Sequence, residues 1–416
     1  MEWNPSNGRV VDAVRRLLAA PGPYRRMFCA QVVALAGTGL ATVALGLLAY
    51  DLAGDRAGQV VATALTIKMV AYVAAGPLLT AVLGRFPRRA VLVGSDAVRA
   101  LAVGCLPWVE QVWQVYVLIA VLQSASAAFT PTFQAIIPEL VDDEGYTSAL
   151  ALSRLAYDLE ALASPLLAAA LLLAVPFDGL FGLTALGFVV SGLLVVTTSL
   201  PAGRTADQGS RMAGAVAGWR VFATDARLRA LMLLNLAVAV VTALVLVDTV
   251  VLVRARLGGS DTGVALLLAC FGAGSMAVAL LLGRLVTRFG TRMLMLTGPV
   301  VAAAGLAVTG AGWAWQPNAV VLGAGWLALG AACALVSAPT GRLLREAAPE
   351  GGLAGMFAAQ FSLSHACFLA TYPLAGWAGA QDPAMVLAGA AVVTAGCAAM
   401  AVWSWRPDPV DSVKVD

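Results

Sequence analysis

The sequence predicts an all-α integral membrane fold with twelve transmembrane helices in two six-helix pseudo-repeats, and three observations carry that prediction. Of 416 residues, 60% are hydrophobic and 12% charged, and the mean hydropathy is +0.86, outside the range of soluble globular chains. Apolar runs long enough to cross a bilayer, about 20 residues at 1.5 Å each, recur along nearly the whole length. Finally, the stretch Gly76-Pro-Leu-Leu-Thr-Ala-Val-Leu-Gly84-Arg85-Phe86-Pro87-Arg88-Arg89 returns 203 residues later as Ala279-Leu-Leu-Leu-Gly283-Arg284-Leu-Val-Thr287-Arg288-Phe289-Gly290-Thr291-Arg292. Each copy is an apolar segment ending in a tight basic loop and followed by another apolar segment. Duplication with this offset describes two related bundles.

The hydrocarbon core offers no water to backbone amides, so the runs are helices; they lack the period-two alternation of a membrane barrel. The expected spans are 28–50, 59–83, 90–108, 112–131, 148–173, 178–200, 228–252, 262–283, 293–314, 318–340, 352–378 and 383–405. The expected division is a cytoplasmic N-terminal segment 1–27, an N-terminal bundle 28–200, a cytoplasmic linker 201–227, a C-terminal bundle 228–405 and a cytoplasmic tail 406–416. Val10, Val11, Val14, Leu17 and Leu18, against Arg9, Asp12, Arg15 and Arg16, suggest a short amphipathic helix in the first segment. That segment has no cleavable apolar core.

Orientation follows from the cations. With both termini cytoplasmic, about 22 of the 26 Lys and Arg fall inside, and only Arg56, Arg254 and Arg256 would lie outside. The expected location is the cytoplasmic membrane of a bacterium. Net charge +3 is then a topological signal and does not indicate nucleic-acid binding. Connections this short leave no room for a soluble catalytic domain. No phosphate-binding G-x-x-x-x-G-K-[ST] loop, nucleophile elbow, H-E-x-x-H or paired-carboxylate motif is present, so an enzyme is not expected and no cofactor is implied. The six cysteines stand singly inside apolar spans and read as small buried hydrophobes.

The repeated basic loop resembles the signature G-x-x-x-D-R-x-G-R-R between the second and third spans of the major facilitator superfamily. The basic positions Arg85, Arg88 and Arg89 match, as do Arg288 and Arg292 in the second copy. Gly84 and Thr287 stand where the family has an aspartate. The resemblance implies the major facilitator fold, alternating access by rocking of two halves, and cytoplasmic gating by these loops. It also implies that closing contacts pass to other acids, Asp96 or Asp142, Asp143 and Glu144. Ser95-Asp96-Ala-Val-Arg99 and Phe129-Thr-Pro131-Thr-Phe-Gln134-Ala-Ile-Ile-Pro138-Glu139-Leu140 resemble bacterial exporters similar to the enterobactin exporter. Arg154-Leu-Ala-Tyr157-Asp158-Leu-Glu160 with Ser164-Pro165, and Phe357-Ala-Ala-Gln360-Phe-Ser-Leu-Ser-His365-Ala-Cys367, resemble the nickel-resistance branch. The histidine-rich tail associated with that branch is missing here.

Charges inside spans are costly, and each is a functional candidate. Arg154 and Asp158 are spaced i, i+4 and can pair on one helix face, while Glu160 points about 200° away from Asp158. Either carboxylate reads as a proton carrier, or the group is a structural ion pair with an interfacial acid beside it. Lys68 is the sole lysine within a span, some 14 Å from its outer end at 1.5 Å per residue, too deep to snorkel fully. Asp248, near the outer end of the seventh span, pairs with Arg254 or Lys68, faces the translocation path, or is an interfacial acid. His365, the sole histidine, can titrate near neutral pH. With Cys367 two positions away on another face it makes no local metal clamp, and its default reading is packing. Gln31, Thr38, Thr42, Gln123 and His365 are candidates for a substrate cavity; Gln31, Thr38, Thr42 and Gln123 serve equally as interhelical glue. Trp108, Trp113, Trp313, Trp315, Trp403 and Trp405 fall at span ends as an aromatic belt.

The expected activity is proton-coupled efflux of a small molecule, drug, siderophore or metabolite, by a monomer in the bilayer. Its partners are the substrate and protons, not nucleic acid, and no metal site is expected. Asp158, Glu160, Asp248 and Lys68 are the coupling candidates. Nickel or cobalt efflux is the alternative, and a non-transporting membrane sensor or assembly partner is the reading from another class.

Overall fold

The computed structural model describes residues 22–75, 82–83, 85–141, 149, 152–153, 156, 160, 163–200, 208–349, 352–379 and 381–405. Among these residues every regular element is helical. Helix starts follow local chemistry. Helix α1, Pro23–Ala53, begins on a proline, whose fixed φ and missing N–H suit a first helical turn. After a short turn, Gly54–Arg56, α2 runs over Ala57–Val70 and widens into a π turn at Ala71–Ala75. Helix α3, Arg88–Gly104, follows Pro87. Helix α4, Val112–Leu140, opens with a capping box between Gln111 and Gln114. Residues 163–171 are helical, and α5 is Phe177–Val196.

Helix α6, Gln208–Thr224, occupies most of the stretch expected as a plain linker. Helix α7, Ala226–Val250, is capped by Asp225, whose side chain accepts from the Arg227 N–H at 2.8 Å, and passes into a π turn, Val251–Arg256. Helix α8, Asp261–Trp315, is one helical stretch broken at Gly290, where φ is 74° and ψ 158°. Only glycine enters that conformation at little cost, so the break separates the expected eighth and ninth spans inside the second basic loop. Helices α9, Ala319–Ala347, α10, Leu353–Ala378, and α11, Pro383–Ser404, complete the chain. Asn318 caps α9 by accepting from Val321 N at 2.9 Å, and Asp382 caps α11 by accepting from Ala384 N at 2.9 Å.

Eight helical segments among the described residues are long and apolar enough to cross a membrane. Two of them, Pro23–Val73 and Asp261–Trp315, each cover two expected spans. Ten of the 26 residues of the fifth expected span, 148–173, lie outside the described residues, Arg154 and Asp158 among them.

Contacts group the chain into two compact units, Met1–Leu48 with Val70–Gln208, and Ala49–Met69 with Gly209–Asp416. In the first, Tyr24, Met27, Leu92, Phe129, Phe133 and Ile136 form a buried cluster. In the second, Phe222, Leu228, Leu231, Met295, Leu343 and Trp405 do so. The second unit also holds a very close helix crossing. A methyl group at Gly274 of α8 would lie 1.9 Å from the Leu327 carbonyl oxygen, and one at Gly330 of α9 would lie 1.8 Å from that of Phe271. Backbones meet there because neither residue has a side chain, the small-residue packing of helices that share no hydrophobic driving force. Ser275 adds a hydrogen bond to the Gly330 carbonyl at 2.7 Å.

Candidate functional site

The charged residues of the third span form a closed cluster. Asp96 and Arg99, one turn apart on α3, are ion-paired and almost fully buried, and Ser191 of α5 donates to the second Asp96 oxygen at 2.9 Å. The Arg99 guanidinium is sandwiched by Phe129, 4.1 Å from its ring centre, and Phe188, at 4.6 Å. A planar cation between two ring faces gains both cation–π and stacking contacts. Asp96 and Arg99, counted with the cytoplasmic gating group at the start of the expected third span, 90–108, stand within α3, where Ser191 and the two rings supply the partners that let a charge pair be buried.

Of the other loop cations, Arg88 is buried and donates to Glu139 at 2.5 Å. Arg89 donates to the Thr198 carbonyl. Arg85 is exposed, as is Arg288, whose guanidinium lies 5.5 Å from the Phe289 ring centre. Arg292 donates to the Trp405 carbonyl at 2.7 and 3.1 Å.

Asp248 has a different environment. It is 6% exposed, and neither carboxylate oxygen has a hydrogen-bond partner. Arg254, expected as a possible partner, is instead paired with Asp261 and lies over the Tyr50 ring at 5.1 Å. A small cavity of about 20 Å³ is lined by Asp248, Arg256, Gly379, Gln381 and Leu387, room for about one water molecule. An isolated ionised carboxylate in such surroundings carries a large desolvation cost.

The remaining candidates divide. Glu160 is half-buried, and a methyl group at Gly39 of α1 would come within 2.9 Å of its Oε1. Lys68 is half-buried on α2. Arg154 and Asp158 lie outside the described residues, as do Asp142, Asp143, Glu144, Gly84 and the N-terminal residues of the expected amphipathic helix. Gln31 exchanges hydrogen bonds with Ser153 at 2.7 and 2.9 Å. Thr38 and Thr42 each donate to a carbonyl one turn earlier in α1, at 3.0 Å. Gln123 is buried. His365 Nδ1 lies 2.7 Å from the Phe361 carbonyl, an acceptor only, so Nδ1 carries the proton. Its ring stacks on Phe361 with centres 3.9 Å apart.

Sequence reasoning passed over Asn235 of α7 and Gln360 of α10, whose amides exchange bonds at 3.1 and 3.2 Å. Single polar residues in apolar runs were the only signal. It also missed Arg256, Gly58 and Gly379 around Asp248, which no periodicity marks. A groove of about 530 Å³ between α3 and α4 is lined by Leu83, Val91, Ser95, Val98, Ser124 and Ala128, the size of a small-molecule site. Among the described residues no three His, Cys, Asp or Glu side chains gather to hold a metal ion.

A model of the Major Facilitator Superfamily matches residues 27–254. Macrolide efflux protein A of Streptococcus pyogenes is 23% identical over 166 residues, 39% of this chain and 41% of that protein. The protein of the same name from Enterococcus faecalis is 25% identical over 135 residues, 31% of this chain and 42% of its own. The chain thus aligns with about two fifths of the length of these relatives. Among solved structures, a nucleoside transporter superposes with TM-score 0.72 at 13% identity, covering 92% of this chain and all of the other. A bacterial homologue of the human lysosomal transporter Spinster, inward-facing and unoccupied, gives 0.71 at 13% identity, covering 93% and 99%. At such identities these two show the fold alone.

Proposed function

The chain belongs to the major facilitator superfamily, and we propose that within it this protein is a proton-coupled exporter of a small organic molecule, with Asp248 as a proton-binding group. The observation that carries the reading is the Asp248 carboxyl, buried in α7 with both oxygens unpartnered. A structural ion pair would hold a donor on the carboxylate, and neither oxygen has one although Arg256 lines the same cavity; a proton carrier needs a site that tolerates the neutral acid in one state and the charged form in another. Substrate and proton exchange across the membrane if each stabilises a different access state. Outward transport is supported by the efflux relatives, whose name also suggests bulky organic cargo. The groove beside Ser95 and Ser124 is mostly apolar, which suits such cargo.

Everted membrane vesicles containing the protein test this reading. With a proton gradient imposed, addition of the right compound from a panel of macrolides, siderophores and organic cations releases protons from the vesicle interior. Asp248→Asn, matched for expression and detergent elution, abolishes that release. Full proton release in the Asp248→Asn variant removes Asp248 as the carrier.

A further inference from the structure

Asp248 sits under a seam of glycines. A methyl group at Gly379, just past α10, would come within 2.7 Å of Asp248 Oδ1, and one at Gly58 on α2 within 3.5 Å of the same atom. Further along, a methyl at Gly376 would lie 2.4 Å from Ala62 Cβ and 3.4 Å from the Gly58 carbonyl oxygen. Residues 58–62 of α2 and 376–379 thus meet almost backbone to backbone, and the carboxyl is walled in where they meet. All of these residues belong to the second compact unit. The start of α2 is therefore held against α7 and α10 by contacts that leave, beside the carboxyl, a cavity of only about 20 Å³, too little to hydrate a charge.

We propose that this seam is a proton-dependent latch: it closes over Asp248 as the neutral acid and parts when the carboxyl ionises, with Arg256 as the cation that then faces the carboxylate. The inference rests on the proton-carrier reading of Asp248 and adds to it where the protonation change is felt. On opening, the O–H bond breaks, the proton passes to water, and the negative charge stays on Asp248. The carboxylate then requires solvent or a donor. Arg256 lines the same small cavity at the end of the π turn, a helix irregularity frequent at functional sites. The charged groups facing the site are few. The π turn brings Arg256 and Arg254, the latter engaged with Asp261. The turn Gly54–Arg56, packed against it, brings Asp55 and Arg56, and the start of α11 brings Asp382, used as a helix cap. Residues 58–62 and 376–379 carry no titratable side chain.

The test reads access to the seam in the full-length protein with its native cysteines replaced. Val61→Cys places a thiol beside the seam, where Val61 is buried, and an impermeant maleimide is added between pH 5.5 and 8.5. Its labelling rate is divided by that of Ser260→Cys, an exposed position, to cancel the titration of the thiol itself. The relative rate rises about tenfold with pH, as when an open fraction goes from about one in a hundred to one in ten. In Asp248→Asn it stays low and flat; in Gly379→Ala, whose methyl displaces the carboxyl, it is high already at acid pH. Unchanged pH dependence in Asp248→Asn overturns the latch. If that variant does not accumulate, slow acid-pH labelling in Gly379→Ala overturns it instead. Loss of substrate-driven proton release in Asp248→Asn with unaltered labelling keeps the carrier and rejects the latch; flat labelling with proton release intact does the reverse.

Discussion

Arg99 and Asp248 show how partners decide the meaning of a buried charge. Arg99 has an acid one turn away, a serine securing that acid, and a ring on either side of its guanidinium. Asp248 has no hydrogen-bond partner for either oxygen. The first arrangement is a fixed strut and the second a group whose charge has no home in this conformation. Removing one member of a buried pair strands the other at a cost of about 3–5 kcal/mol. Asp96→Ala is therefore expected to lower the unfolding midpoint in detergent sharply, whereas Asp96→Asn with Arg99→Met, which leaves no charge behind, loses much less. Arg99→Lys falls between them, since an ammonium keeps the charge but cannot stack between Phe129 and Phe188. If Asp96→Ala and the double variant melt together, the cluster is not held by its charges.

Helix termini are set by local chemistry, and α7 shows what its cap contributes. Burial pushes the Asp225 carboxyl upward, but hydrogen bonds and charge from Arg227, with the backbone N–H groups of Arg227 and Leu228, outweigh it and hold the carboxyl below the usual carboxylate range. A carboxyl lowered by folding stabilises the native state in full above its unfolded value, about 3.9, and that contribution fades as pH falls through the lower folded value. Asp225→Asn should thus separate from the parent in thermal midpoint at pH 5 to 7, with the gap closing toward pH 3. A constant gap would show that the ionised form adds nothing. Asp225→Ala, which also loses the cap acceptor, costs about 1 kcal/mol more. Between helices, Gly274→Ala and Gly330→Ala should each impair folding far more than Gly283→Ala, where a methyl meets open space, as read by the yield of monodisperse protein.

These elements also mark what was legible in the chain. Asp225, Ser260, Asn318 and Asp382 precede apolar runs and cap helices there, because capping is local chemistry. The break at Gly290 was legible as a basic loop recurring at fixed offset. The close approaches at Gly274 and Gly330, and that of Gly376 to Gly58, were not, because which glycine meets which backbone depends on helix rotation that composition does not encode. For the same reason Asp248 was visible as a costly charge, but that neither of its oxygens has a hydrogen-bond partner was visible only in three dimensions.

At the scale of the whole molecule, the sequence repeat returns as a repeated contact. Arg89 donates to the Thr198 carbonyl just after α5, and Arg292, 203 positions later in the chain, donates to the Trp405 carbonyl just after α11. Each unit uses the same cation to satisfy carbonyls that a helix end leaves open, where a positive charge also complements the helix dipole. The expected spans put six crossings between the two basic loops, an even number, and so predict that both face the same side of the membrane. The portion of α8 from Asp261 to Gly290 is about 30 residues, or roughly 45 Å, enough for one crossing. In a cysteine-free background, Arg85→Cys and Arg288→Cys should therefore react with an impermeant maleimide only in everted vesicles, and Ser260→Cys only in right-side-out cells. The excess of cations is what predicts the first two inside. Labelling of Arg85→Cys and Arg288→Cys from opposite sides would mean an odd number of crossings between them. The stretch 148–173 would then not span the bilayer, and the repeat of contacts would be one of sequence alone.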